Sequence, residues 1–158
     1  MIKTPKKQSK RVLEFATIEG DVRAMDRLLK EYVSPAGKTS GDHYAIHHSQ
    51  FSPVPYNFFV INKDLFGDGK GIMVVVNPKI VEKSEPVMHR EACMSFPFRN
   101  GIRVRRYRKV TVQYRVPDDK GEKMVAKEED LEGMMAFIFQ HEIQHAHGLH
   151  IYQGNNSR

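Results

Sequence analysis

A chain of 158 residues with a net charge of +6, 40% hydrophobic and 28% charged, is sized for one domain with a real core. That balance excludes a globally disordered chain, and no apolar run approaches the ~20 residues needed to span a bilayer. The single cysteine excludes an intrachain disulfide and, beside metal-type histidines, points to a reducing cytosol.

In chain order, residues 1–10 read as a flexible basic tail without the apolar stretch of a signal peptide. Val22, Met25, Leu28 and Leu29 recur at helical spacing, which predicts a helix from Ile18 to about Tyr32. Residues 34–42, with Pro35, Gly37 and Gly41, read as a loop. Phe58–Ile61 reads as a short buried strand. Residues 64–71 read as a turn, and Ile72–Val76 as a second strand ended by Asn77-Pro78.

Residues 104–116 carry the clearest alternation, with Val110, Val112, Tyr114 and Val116 on one face. Extended backwards, it turns Arg106 inward, where a guanidinium needs a partner. Pro117 to Gly121 turns the chain, and Lys123–Val125 reads as a short returning strand. The last element reads as a helix capped by Asp130, running through Met134, Phe137, Ile138, His141 and His145 and ended by Gly148. Residues 153–158 read as a polar tail, leaving one catalytic domain over 11–152.

The chemistry concentrates in Gln140-His141-Glu142-Ile143-Gln144-His145. Histidines four apart lie on one helix face and can grip one metal ion, with Glu142 free to act as a base on an activated water. A catalytic site needs a third ligand and an open position, and Cys93 is the obvious candidate. Phe137, Ile138 and Met134, one and two turns before His141, can line an apolar pocket beside the ion, fit for a methionine side chain.

Three segments together resemble the peptide deformylase family. Glu91 to Pro97 is similar to the family pattern EGCLSxP, with Ala92 for Gly and Met94 for Leu. Gln140 to Gly148 is similar to QHExDHLxG, with Gln144 for Asp. His43 to Gln50 keeps part of GxGLAAxQ.

The resemblance implies an α+β fold, with antiparallel strands packed around a central helix carrying the HExxH motif. It implies Cys93, His141 and His145 as ligands of one divalent ion, Fe(II) in cells, with Zn(II), Ni(II) or Co(II) also able to bind. It implies that metal-bound water attacks the formyl carbon of N-formylmethionyl nascent peptides, with Glu142 as general base and then acid, releasing formate. Gln50 and the Met94 backbone N–H would stabilise the oxyanion. Ala45, Ile46, Glu91 and Ala92 fall where the family binds substrate. Arg106 would pair with Glu91, and Gln144 falls beside the ligands where the family keeps an aspartate.

The chain also resembles compact forms without a long C-terminal helix, of the sort some phages carry, which implies a cytoplasmic protein of bacterial or phage origin. The basic tail and the segment Arg103 to Lys109 suggest ribosome association; nothing suggests a membrane or specific DNA. Two other functions fit the motif less well. One is an HExxH metallopeptidase, which usually takes a further His or Glu downstream. The other is a metal-stabilised deformylase-like binding protein without turnover, suggested by the altered first segment.

Overall fold

The computed structural model describes residues 14–31, 44–66, 69–96 and 99–153. It combines helices with an antiparallel sheet, as the expected α+β class requires. Helix α1 (Phe15–Glu31) precedes strand β1 (Ala45–His47), the single-turn helix α2 (His48–Phe51) and strand β2 (Phe58–Asn62). Strands β3 (Ile72–Glu91), β4 (Ile102–Pro117) and β5 (Met124–Glu132) follow, then helix α3 (Met134–Ala146). The five strands form one antiparallel sheet in the order β1-β2-β3-β4-β5.

The apolar run in β2 has a direct cause. Phe58 and Val60 pack with Ile18, Val22, Met25 and Leu29 of α1, while Phe59 and Ile61 pack with Ala136, Ile138 and Phe139 of α3. A strand covered on both faces has no polar side, so it reads as continuous rather than alternating. The α1 residues are those whose helical spacing is legible in sequence, and they are its buried stripe. On α3 the ring of Phe139 meets Phe59 and Tyr114 edge-on, with centroids 5.1 and 5.4 Å away.

Four expectations change. Helix α1 begins at Phe15, three residues before Ile18; its expected end at Tyr32 and the 34–42 loop lie outside the described residues. Asn77-Pro78 does not end a strand. Asn77 takes φ 49°, the ladder shifts register between Val76 and Lys79, and β3 continues to Glu91. Asparagine tolerates the left-handed region, so a bulge absorbs the irregularity.

The return strand is not limited to Lys123–Val125; β5 pairs with β4 from Met124↔Pro117 to Glu132↔Lys109. Asp130 therefore does not cap the last helix. It lies in β5 and accepts from the Thr111 hydroxyl across the ladder at 2.7 Å. Gly133 precedes α3 instead, at φ 69° and ψ −135°, a conformation essentially reserved for glycine.

At its far end α3 stops through Gly148, as expected. Gly148 lies at φ 73°, Gly148 N donates to His145 O and Leu149 N to Gln144 O, both at 3.0 Å. This turn matters for the site because it folds Leu149 back over the last helical residues.

Candidate metal centre

Helix α3 presents His141 and His145 one turn apart, their rings nearly perpendicular with centroids 4.7 Å apart. Their remaining nitrogens are already committed. His141 Nδ1 donates to Glu91 Oε1 at 2.8 Å, and His145 Nδ1 donates to Leu149 O at 2.8 Å. Each ring is thereby fixed in orientation with Nε2 left to face Cys93. Cys93 Sγ lies 3.5 Å from His145 Nε2, and one ligand atom from each of Cys93, His141 and His145 falls within 4.8 Å of the others. Thiolate plus two imidazoles is a donor set that a transition-metal ion takes, so these residues fit a metal ion.

Glu142 sits beside this group, 4% exposed, and its Oε2 has no hydrogen-bond partner among the described residues. Burial pushes its carboxyl up to about 7; the His141 charge opposes this and Glu91 adds to it. A carboxyl near neutrality can both take and give a proton. For His141, burial disfavours the charged ring, but hydrogen bonds to Cys93 and Glu91 outweigh it and push it up to about 10. Burial, then the neighbouring His141 charge, hold His145 well below the ordinary imidazole value.

Glu91 anchors the floor of the site. Despite its burial, its carboxyl is held well below the usual carboxylate range by His141, His89 and Arg106. Arg106, 2% exposed, donates to it through Nε at 2.8 Å and Nη2 at 2.7 Å, and through Nη1 to Gln144 Oε1 at 3.0 Å. The inward turn of Arg106 read from strand alternation is what the structure has.

Gln50 reaches the same centre from α2. Its Nε2 donates to Ser95 Oγ at 2.9 Å and points at Cys93 Sγ at 3.7 Å; its Oε1 accepts from His47 N at 2.9 Å. Thus Cys93, Gln50, Glu91, Arg106, Glu142 and Gln144 gather around the two histidines.

The other candidates are more dispersed. Met94 is half-buried and packs toward the α1 core. Ala45 lies in β1, at the sheet edge, but the Ile46 side chain is fully buried against α1. Ala92 is exposed, and Met134 is 39% exposed. Ile138 is buried in the core under α3. His43 and Pro97 lie outside the described residues.

Sequence reasoning passed over two residues. His89 Nδ1 donates to Glu91 Oε2 at 3.0 Å, and its ring stacks on Phe137 with centroids 4.2 Å apart. Ser95 holds the Gln50 amide. The alternation of β3 toward Glu91 would have pointed His89 inward, had the strand not been ended at Asn77.

The family model for polypeptide deformylase matches residues 53–158, a span holding Cys93 and the histidine helix but not Gln50. A peptide deformylase from Desulfotalea psychrophila is 42% identical over 77 residues, covering 49% of this chain and 42% of that protein. One from Thermotoga neapolitana is 36% identical over 97 residues, covering 61% and 52%. The matched stretch thus spans about half the length of these curated relatives.

Among solved structures, that of a peptide deformylase from Thermotoga maritima is similar with TM-score 0.74 at 27% identity, covering 96% of this chain and 93% of that one. A probable peptide deformylase from Synechococcus phage S-SSM7 shares the fold, with TM-score 0.76 at 24% identity and 95% coverage of both chains. With its Cys-His-His group and the match over residues 53–158, the chain belongs to the polypeptide deformylase family.

Proposed function

We propose that this protein removes the formyl group from N-formylmethionyl peptides by hydrolysis. The observation that carries the reading is the convergence of Cys93, His141 and His145 beside a buried Glu142 whose Oε2 has no partner among the described residues. In this reading residues 11–152 form one catalytic domain between a basic tail at 1–10 and a polar tail at 153–158, and α3 is the central helix of that domain.

Cys93, His141 and His145 would hold one divalent cation, Fe(II) in cells. Held there, the ion would polarise the formyl oxygen and acidify a water beside it. Glu142 Oε2 takes the proton of the attacking water and later delivers it to the departing amine nitrogen. The carbon–nitrogen bond breaks, giving formate and a free amino terminus. The Gln50 side-chain amide donates to the oxyanion, together with the Met94 backbone N–H. Glu91 keeps His141 oriented, and Arg106 with Gln144 keeps Glu91 in place.

Phe137, with Met134 and Ile138 on the same helix, would face the methionine side chain. Ala45, Ile46, Glu91 and Ala92 would meet the peptide; of these, Ile46 can do so only through its main chain, since its side chain is in the core. The exposed Arg103, Arg105 and Arg108 of β4 suit an anionic partner such as ribosomal RNA, and a cytoplasmic setting suits the free thiol.

The test is formate release from formyl-Met-Ala-Ser by protein purified without oxygen and loaded with Fe(II), beside a panel of unblocked peptides. Formate release without internal cleavage supports deformylation. Internal cleavage without formate points to a metallopeptidase, and neither product points to a binding protein.

A further inference from the structure

We infer that His47 is a positioning residue that sets the Gln50 amide, by serving as the N-cap of α2. The inference rests on the reading of Gln50 as oxyanion donor.

Helix α2 is a single turn, too short to hold its shape by its own hydrogen bonds. A reciprocal cap fixes it. His47 Nδ1 accepts from Ser49 N at 3.1 Å, and Gln50 Oε1 accepts from His47 N at 2.9 Å. This is the arrangement of a capping box, with histidine in the place that serine, threonine, aspartate or asparagine usually takes. Here the Gln50 oxygen is consumed by the cap, so its Nε2 is the end that faces Ser95 and Cys93. The His47 N–H therefore decides which end of the amide meets the centre, and the His47 ring acts on it indirectly, by holding the Ser49 N–H and with it the turn that keeps Gln50 in reach.

The His47 ring is held on its other side. Ser49 N–H can only donate and Asn57 Oδ1 can only accept. The neutral tautomer with its proton on Nε2 satisfies both, with Nε2 3.3 Å from Asn57 Oδ1. The ring is fully buried and lies 6.5 Å, centroid to centroid, from that of His145. One buried imidazole thus ties the Ser49 N–H of α2 to the residue-57 segment, while the His47 backbone N–H holds Gln50 Oε1.

The experiment compares wild type, His47→Ala, His47→Asn, Asn57→Ala and Gln50→Ala by formate-release kinetics and by NMR relaxation of the Gln50 side-chain amide. Asparagine places Oδ1 at the same point along the side chain as Nδ1 and should rescue. His47→Ala should lower kcat roughly tenfold with KM nearly unchanged, less than the ~10²–10³ expected for losing the donor itself. In the Gln50→Ala background, His47→Ala should add nothing.

The Gln50 amide should become mobile in His47→Ala and return to wild-type order in His47→Asn. Asn57→Ala should act in the same direction more weakly, and it serves if His47→Ala does not fold. An unchanged Gln50 amide in both His47→Ala and Asn57→Ala, or additive losses in the double variant, overturns the inference. Wild type without formate release instead defeats the deformylase reading, and Gln50→Ala without effect defeats the donor role; the amide relaxation still decides the cap.

Discussion

Glu91 and Arg106 meet side-on inside the protein, with two N–H donors of one guanidinium on the two oxygens of one carboxylate at 2.7 and 2.8 Å. The same carboxylate also holds His141 and His89, so the pair is at once a structural clamp and the support of a candidate ligand. Glu91→Ala leaves a buried guanidinium without its charge partner and should cost about 3–5 kcal/mol in urea unfolding. It also frees the His141 ring, and zinc affinity measured by chelator competition should fall about 10–100-fold.

Glu142→Gln should keep the ligand set and lose the proton acceptor. Formate release should fall by at least ~10²-fold while metal content by elemental analysis stays at wild-type level. Cys93→Ser, by contrast, removes the soft donor and should lower metal content itself. If Glu142→Gln retains turnover, another group moves the proton.

Acid should destabilise the fold through His47. Burial holds its imidazole down to about 3, below the ordinary value of 6.5. A group whose folded pKa is depressed contributes stability that is fully present above the unfolded value and is lost as pH falls toward the folded one. Between about pH 6.5 and 3, His47 should add up to ~1.4 kcal/mol per pH unit to the loss. His48, also lowered chiefly by burial, acts in the same direction. Unfolding free energies measured across this range should slope less steeply in His47→Asn than in wild type.

Gly133→Ala isolates backbone strain. A Cβ there meets no atom within 4 Å, so there is no clash, but φ 69° with ψ −135° disfavours any side chain. The variant should lose about 1–3 kcal/mol of stability, read as a lower denaturant midpoint at unchanged m-value. A neutral result would mean that the β5–α3 junction relaxes to another conformation.

Phe139→Ala should cost about 3–5 kcal/mol, because the ring is fully buried between Phe59 and Tyr114. Thermal unfolding gives the check. A much smaller loss would show that the core under α3 collapses around the gap.

What sequence determined is local. The spacing of His141 and His145 places both on one helix face, the period of β4 turns Arg106 inward, and the stripe from Ile18 to Leu29 reports a helix packed on one side. These features depend only on the geometry of a helix or strand, so periodicity reveals them. Cys93 stood out because it is the only thiol.

Tertiary structure decided the rest. Asn77 in a left-handed conformation lets β3 run on where turn chemistry implied a stop, and cross-strand pairing claims Asp130 for β5 although its side chain suits a helix cap. The contacts that make a site of the ligands join residues far apart in the chain: Gln50 to Cys93, Glu91 to His141, and the His145 imidazole to a carbonyl supplied by the turn at Gly148. Such contacts leave no periodic trace. The tautomers of His47 and His145, and the orientation of the His141 ring, depend on which partner each ring nitrogen meets, and only the folded chain supplies those partners.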